Sequence, residues 1–185
     1  MASQDKIDID IFKVVNRAIA ESDNLDIMAS HLSQLLVGAL EIKGCTIFIT
    51  DPQTKELEVL ASFGLSMAYM NKGTLMLDKS IVGDLKNEPM VVADVNTSDK
   101  LQYPQQAKDE GISAIISVPI TFYGRGIGAL RLYHAESWHI SDRDLDSLTL
   151  LADNIGLAMM YARMINVVHS VKETVNEVHD IWLSP

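Results

Sequence analysis

The C-terminal quarter of the sequence carries one helical pattern without a break, and this feature limits the fold more than any other. Apolar residues recur at helical spacing from about residue 142 to 182, after Ser141 as the predicted N-cap and with Asp144 as its capping-box partner. At about 1.5 Å per residue, such a helix is roughly 60 Å long, about twice the breadth of a small domain. Part of the helix must therefore project from the globule.

Two apolar stripes run along this helix, and they predict two different contacts. The first stripe fades after residue 165, which suits packing on the domain's own sheet. The second alternates spacings of four and three beyond that point, which is typical of a coiled coil. Residues 164–185 are therefore predicted to form a coiled-coil signalling helix that joins two copies of the chain in a homodimer. The first stripe consists of Leu148, Leu151, Ile155, Ala158, Ala162 and Ile165, and the second of Leu157, Tyr161, Met164, Val168, Val171, Val175, Val178 and Trp182.

The composition excludes several classes of protein. The chain has 185 residues, 48% of them hydrophobic, which is enough for one domain with a sizeable core and extensions. A net charge of -10 without any run of basic residues argues against nucleic acid or an anionic membrane as a partner. No apolar run reaches the ~20 residues that span a bilayer, and the first residues do not resemble a signal peptide, so a cytoplasmic location is expected. The single cysteine, Cys45, can form neither an internal disulfide nor a cysteine-rich metal site.

Two helices are predicted in the N-terminal part of the chain. Residues 7–20 have apolar residues at helical spacing, and the stretch "ESDN" interrupts the pattern. A second helix follows over residues 24–42, with Asp23 as N-cap and Gly44 in position to end it. We expect residues 1–22 to form an N-terminal dimerisation and signalling helix that precedes the sensory domain.

The middle of the chain changes to a period of two, which predicts strands in two hairpins. The second hairpin is predicted to turn through the three residues 124–126, with Gly126 in the left-handed region. Between the hairpins lies an irregular excursion with a short helix at residues 78–87 and a polar loop after it. A connection of this length suggests a functional role. The predicted strands are residues 45–51, 55–63 and 89–95 and the two halves of residues 112–134.

Four segments of the chain resemble the GAF domain, a ligand-sensing module of bacterial signalling proteins and cyclic-nucleotide phosphodiesterases. In chain order they are "CTIFITD", "GDLKNEPMVVADVNTSDKLQYP", "IISVPITFYGRGIGALRL" and "WHISDRDLDSLTLLADNIGLAM". The resemblance implies an α+β fold over residues 23–163. In this fold a central antiparallel sheet has the terminal helices packed on one face, and a ligand pocket roofed by the irregular excursion on the other.

Departures from the family's better-known branches narrow the expected ligand. The Asn-Lys-Phe-Asp-Glu signature of members that bind cyclic nucleotides is absent, and no cysteine lies in the excursion, where bilin-binding members attach their chromophore. The branch of free-methionine-sulfoxide reductases needs more than one cysteine, whereas Cys45 stands alone. The cofactor or ligand is therefore unknown.

Arg131 is the one charge in the apolar strand pattern "GIGALRLYH", and a buried guanidinium needs a compensating group. Strand alternation predicts Ile47, Ile49, Val118, Ile120, Leu130 and Leu132 under the helices. The predicted register places Pro119 beside Arg131 and Ser117 beside Tyr133 on the other face. With Tyr103 from the excursion, this face supplies the predicted ligand-binding residues, which are Thr46, Phe48, Tyr103, Ser117, Arg131 and Tyr133.

Two hypotheses account for Arg131. In one, it binds the carboxylate or phosphate of an anionic small ligand, a contact for which arginine has suitable geometry. In the other, a carboxylate of the excursion, such as Asp94 or Asp99, pairs with it inside a closed pocket. In a similar way, Met67, Tyr69, Met70 and Met76 fit either an adaptable lid or ordinary gap filling.

The remaining reactive residues give no catalytic site. The five histidines are His31, His134, His139, His169 and His179, and no two of them have a spacing of four that would join them as metal ligands on one helix. Cys45 fits a redox sensor or a buried small hydrophobe. No arrangement of nucleophile and base, and no phosphate-binding loop, is found. The chain is therefore not expected to be an enzyme, and no metal is expected.

The segment around His179, "NEVHD", resembles the phosphoacceptor helix of some histidine kinases, with a polar coiled-coil exterior as the alternative. The sequence as a whole predicts a regulatory sensor that binds a small molecule and acts through a dimeric exit helix on an output such as a histidine kinase or a cyclase. Two other functions stay open: a structural dimerisation module whose pocket is filled by its own side chains, and a small enzyme with the GAF fold.

Overall fold

The described residues form a six-stranded antiparallel sheet and five helices. A computed structural model describes residues 7–22, 24–51, 53–54, 56–73, 75–76 and 88–183, with the backbone alone for residues 76 and 177–183. The predicted helix at residues 78–87 lies outside these ranges. The helices are α1 (Ile9–Ala20), α2 (Leu25–Leu40), α3 (Met67–Met70), α4 (Pro104–Asp109) and α5 (Asp142–Leu183); the strands are β1 (Gly44–Thr50), β2 (Glu56–Phe63), β3 (Leu75–Met76), β4 (Met90–Val92), β5 (Ala114–Phe122) and β6 (Arg125–His134).

The long helices begin at polar caps that satisfy their first N–H groups. The Ser141 hydroxyl accepts from the backbone N–H of Asp144, so the predicted N-cap of α5 is confirmed. At the start of α2, the predicted Asp23 lies outside the described residues, and Asn24 is the N-cap. That helix ends at Glu41, whose φ of 52° places it in the left-handed region, so the prediction that Gly44 ends it was wrong.

The strand order is β3-β2-β1-β6-β5-β4, which puts β1 and β6 at the centre of the sheet. Neighbouring strands are antiparallel throughout. In the excursion, β4 is shorter than predicted because Asp94 begins a turn by accepting from the backbone N–H of Asn96. The segment read as a polar loop contains α4, which begins at Pro104.

The turn between β5 and β6 differs from the prediction. It contains two residues, Tyr123 and Gly124, with φ of 50° and 69°. Such a turn matches the right-handed twist of the strands better than the predicted turn at residues 124–126. A bulge then leaves Ile127 as the extra residue of β6. The pairing is shifted by two residues, so Arg131 lies opposite Ser117 instead of Pro119, and every residue beyond the bulge keeps its predicted face.

The main core lies between one face of the sheet and helices α1, α2 and α5. Ile47, Val118, Ile120, Leu130 and Leu132 contribute to the sheet side of this core, as predicted. Cys45 also belongs to it, and the predicted Ile49 is partly buried against it. Helix α5 lies so close to β5 that a Cβ atom on Gly156 would be 2.5 Å from the carbonyl oxygen of Thr121. The segment before α1 is fixed to α5, because the N–H of Ile7 donates to Asp144 Oδ1 at 2.9 Å. The α+β architecture with the terminal helices on one face is therefore confirmed.

Helix α5 has 42 residues and is about 63 Å long. Its buried residues end at Ala162, which belongs to the first stripe, and residues 166–176 are all exposed. The second stripe is exposed along its described length, from Leu157 (58%) to Val175 (60%). The helix continues without a break through the predicted boundary at residues 163 and 164. No described helix is long and apolar enough to cross a membrane.

Candidate functional site

A row of polar residues crosses the sheet on the face opposite the long helices, here called the second face. Thr46 of β1 and Ser117 of β5 lie directly opposite Arg131 of β6, and Ser62 of β2 lies opposite Thr46. Residues that are directly opposite share a face, so these four side chains form one polar row over four strands. The hydroxyls of Thr46 and Ser62 are 3.0 Å apart and share a hydrogen bond.

Apolar side chains cover the second face on both sides of this row. Tyr69 of α3 and Ala107 of α4 pack with Ile115 and Tyr133 of the sheet in one small cluster. A second cluster surrounds Phe48 and consists of Phe48, Leu57, Leu75 and Ala129, with Tyr103 packed against it. The two clusters bring short helices of the excursion onto the central strands and leave Arg131 almost without solvent contact.

Arg131 is buried and has no ion pair with any of the described residues. Its exposed fraction is 2%, and neither Nε nor Nη2 has a hydrogen-bond partner. The ring centroid of Phe48 is 5.3 Å from the guanidinium carbon. None of the ion pairs among the described residues involves Arg131. Arg131 is therefore not paired with Asp94 or Asp99, the two carboxylates named in the second hypothesis, and the carboxylates of residues 77–87 lie outside the described residues.

Two hydroxyls near Arg131 also have no partner. Ser117 Oγ and the Tyr133 hydroxyl are buried and make no hydrogen bond. Burial raises the pKa of Tyr133, whereas the nearby Arg131 and Thr46 oppose this shift without reaching good hydrogen-bond geometry. The ring of Tyr133 meets the ring of Tyr69 edge to face at 5.7 Å. Unsatisfied buried polar atoms are rare in folded proteins, so several of them around one arginine make this part of the second face the candidate site.

Lys72 provides a second cation at this site. Its Nζ lies 3.8 Å from the centroid of the Tyr69 ring and donates to the Tyr69 carbonyl oxygen at 3.1 Å. Burial and the charge of Arg131 lower the pKa of Lys72 to about 8, although Glu110 acts in the opposite direction. The Glu110 carboxylate itself accepts hydrogen bonds from the backbone N–H and the hydroxyl of Ser66. No sequence pattern pointed to Lys72, because it follows a helix of only four residues.

These residues surround a small cavity of about 10 Å³. That volume is about what one water molecule needs, so in this conformation the pocket is nearly filled by its own walls. Of the six predicted ligand-binding residues, Tyr103 and Arg131 line the cavity, and the other four lie on the same face. Tyr69 and Lys72 also line it, and of these only Tyr69 was considered, as part of a methionine-rich lid. Met67 of that lid is exposed, and the Met70 sulfur accepts from the Ser62 hydroxyl.

Two larger hollows lie in the helix layer, on the other side of the sheet. One of about 580 Å³ lies between α1 and α2 and includes Val14, Ile27 and Leu35. The other, of about 310 Å³, lies where α1 and α2 meet α5, next to Tyr161 and Ala162. Both are grooves on the surface of the helices, and neither is lined by residues of the second face.

The described residues contain no group of three or more histidine, cysteine or acidic side chains that could hold a metal ion. Cys45 is fully buried in the main core, and burial raises the pKa of its thiol. A thiol in this state is a poor nucleophile, since the thiolate is the reactive form. Of the two hypotheses for Cys45, the structure favours the buried small hydrophobe.

Comparison with known proteins gives the same fold. A sequence model of the GAF domain matches residues 20–160. No curated protein matches the chain. The GAF domain of a phosphoenolpyruvate-protein phosphotransferase from Coxiella burnetii has 21% identity and a TM-score of 0.73, with 86% of this chain and 98% of that chain covered.

Two further structures have other functions in their names. Free methionine-R-sulfoxide reductase from Neisseria meningitidis, solved with its substrate, has 16% identity and a TM-score of 0.71 over 89% of this chain and 96% of that chain. A domain of a protein described as a two-component sensor histidine kinase from Sinorhizobium meliloti has 20% identity and a TM-score of 0.60, over 86% and 96% respectively. At these identities the likeness shows the fold alone.

Proposed function

The chain belongs to the GAF domain family, and we propose that it is a regulatory sensor that binds a small molecule on the second face of its sheet. Ligand binding would act through a dimeric exit helix on a signalling output such as a histidine kinase or a cyclase. The similar domain from a sensor histidine kinase protein supports a sensory role. A cytoplasmic location is part of the same proposal.

The observation that carries the ligand-binding function is the set of unpartnered polar atoms on the second face. Arg131, Ser117 and Tyr133 are each at most 2% exposed, and together they hold four polar atoms without a hydrogen bond. Each buried polar atom left unpaired costs about 1–3 kcal/mol. A ligand that forms hydrogen bonds with several of these atoms would recover much of this free energy, and the gain would favour binding.

The position of Arg131 supports a route from the ligand to the exit helix. Its neighbours in β6, Leu130 and Leu132, point to the opposite face and pack in the main core with α5. A ligand that binds more tightly to one position of β6 would favour the arrangement of α5 that packs best on that position. Because β6 contributes side chains to both faces of the sheet, it can connect the ligand site with α5 directly.

Dimerisation is proposed through the second stripe of α5. Its described members, from Leu157 to Val175, are 58–69% exposed and would be left in water on a monomer. The alternating spacing of four and three fits a parallel coiled coil with a partner helix that carries the same stripe. A second copy of the chain is such a partner. In α1, Ile9 is 66% exposed, so the N-terminal helix is proposed to join the same interface. The phosphoacceptor alternative for His179 stays a hypothesis, since its side chain lies outside the described part of the chain.

We propose a regulatory role and not a catalytic one. The single cysteine, Cys45, is buried with a raised pKa, so it does not suit the chemistry named for the reductase with a similar fold. A second candidate is a structural dimerisation module, which the cavity of only about 10 Å³ supports. This module would dimerise in the same way but would bind no small molecule.

Native mass spectrometry of freshly purified protein tests both parts of the proposal. We expect the mass of a dimer plus a small molecule that is lost on denaturation. A dimer at the mass of the bare chains, together with no thermal shift in a screen of small molecules, would support the structural module instead.

Sedimentation tests the interface directly. The variant Val171→Glu/Val175→Glu places charges in the stripe and is expected to be monomeric at tens of micromolar. The matched control Asn166→Glu/Ser170→Glu adds the same charge on exposed positions of the same helix outside the stripe, and it should remain dimeric. Equal association of the two variants would contradict the proposed interface.

A further inference from the structure

The unpartnered atoms of the second face define the chemical class of the ligand. We propose that the group bound beside Arg131 is the carboxylate of a small organic acid. This inference rests on the proposed ligand-binding function and adds to it the charge and the geometry of the bound group. It follows from which atoms are unpaired, from the charges around them and from the shape of the guanidinium.

Two atoms of Arg131, Nε and Nη2, are unpaired, and they can bind one ligand group together. Nε and Nη2 lie on the same edge of the planar guanidinium, so their N–H groups point in parallel toward one acceptor pair. Both are buried, and neither has a partner. The two oxygens of a carboxylate have the spacing that this edge binds in a bidentate manner. A single carbonyl oxygen would satisfy only one of the two groups.

The strands also carry unpaired hydroxyl groups on the second face, and each of them can donate a hydrogen bond. They are the hydroxyls of Thr50, Ser117 and Tyr133. Ser117 lies directly opposite Arg131 in the sheet, and Tyr133 is two residues along the same strand and on the same face. An ionised carboxylate only accepts hydrogen bonds. A group of this kind can therefore pair with the arginine edge and with neighbouring hydroxyls at the same time.

The two charged side chains that line the cavity among the described residues are both positive. They are the guanidinium of Arg131 and the ammonium of Lys72. The acidic residue that acts on Lys72, Glu110, already binds Ser66 and lies 4.0 Å from Lys43. An anion between Arg131 and Lys72 would supply the charge that the described residues lack.

The ligand must also displace side chains, since the cavity is close to the size of one water molecule. Lys72 and Tyr103 lie in the part of the wall that is partly exposed, whereas Arg131 and Ile115 are buried in the sheet. Entry is therefore expected from the side of Lys72 and Tyr103, with the carboxylate directed toward the sheet.

Matched pairs of probes test this inference. Propionate and propionamide have nearly the same shape and differ in charge, and inorganic phosphate is an anion of another geometry. Binding is measured by saturation-transfer NMR and by thermal shift at constant ionic strength. We expect propionate to bind and propionamide to bind at least tenfold more weakly. Arg131→Met should weaken propionate binding at least tenfold, while Arg125→Met, which removes an exposed arginine of the same strand, should change it less than twofold.

A measurement on the unmodified protein guards against a folding defect in Arg131→Met. Propionate should shift the Nε–H resonance of Arg131 downfield while leaving that of Arg125 in place. Equal binding of propionate and propionamide, binding of phosphate in place of carboxylates, or an unmoved Arg131 resonance would each overturn the carboxylate assignment. A neutral co-purified molecule would overturn it as well and leave the sensor proposal standing. If no probe binds and the native mass is that of bare chains, both proposals fail.

Discussion

Replacing Arg131 with methionine is expected to stabilise the ligand-free protein. The change removes two buried N–H groups without partners, each of which costs about 1–3 kcal/mol. It also removes the contact with the Phe48 ring at 5.3 Å, which contributes about 0.5–2 kcal/mol. Methionine keeps much of the volume of the arginine stem, so little packing is lost. The net gain is about 2 kcal/mol, which raises the melting temperature of a domain of this size by roughly 4–8 °C.

Calorimetric melts on protein that has been unfolded, dialysed and refolded, to remove any co-purified molecule, check this expectation. Arg125→Met is the matched control, because Arg125 is exposed at the start of the same strand. Its effect should lie within about 0.5 kcal/mol of zero. A loss of about 3 kcal/mol or more in Arg131→Met would refute the reasoning, because it would mean that a carboxylate compensates Arg131 in the ligand-free protein.

Three other predictions follow from the packing and the charges. Truncation after residue 165 should leave a cooperative thermal transition and a weaker dimer by sedimentation, because the residues removed are exposed wherever the structure describes their side chains. Gly156→Ala should lower stability by about 1–3 kcal/mol in urea melts, because its Cβ would lie 2.5 Å from the Thr121 oxygen; Gly38→Ala, in open space on α2, should raise it by about 0.5–1 kcal/mol. Burial lowers the pKa of Lys72 from 10.5 to about 8 in the folded protein, so between these two pH values the unfolded chain binds this proton more strongly than the folded protein does. The stability of the wild type relative to Lys72→Met should therefore rise between pH 8 and pH 10.5.

The faces of the strands could be predicted from the sequence because alternation alone decides them. Leu130 and Leu132 lie in the main core and Arg131 on the second face, although the predicted pairing was shifted by two residues. The exact partner of Arg131 depends on the turn at Tyr123 and on the bulge at Ile127, and both are set by twist and packing. A shift by an even number of residues preserves the face of each side chain, so Arg131 lies on the predicted face although the predicted register was wrong.

The second wall of the site could not be predicted in the same way. Lys72 follows a helix of four residues, and nothing in its spacing separates it from an exposed lysine. Its position depends on contacts with Tyr69, which is far from Arg131 in sequence. The sequence also did not show that Asp94 would form a turn with Asn96 instead of pairing with Arg131. Long-range choices of this kind depend on the complete packing of the excursion.

The burial of Cys45 has a practical consequence for spectroscopy. It is the only cysteine of the chain, it is 0% exposed, and burial keeps its thiol protonated. Thiol reagents will therefore react with a cysteine introduced on the surface and spare the native one. A spin label at Val167, an exposed position of α5 outside the second stripe, would report the distance between the two protomers of the proposed dimer without any background substitution. The same labelled protein could then be followed as small acids are added, so that binding and helix rearrangement are read from one sample.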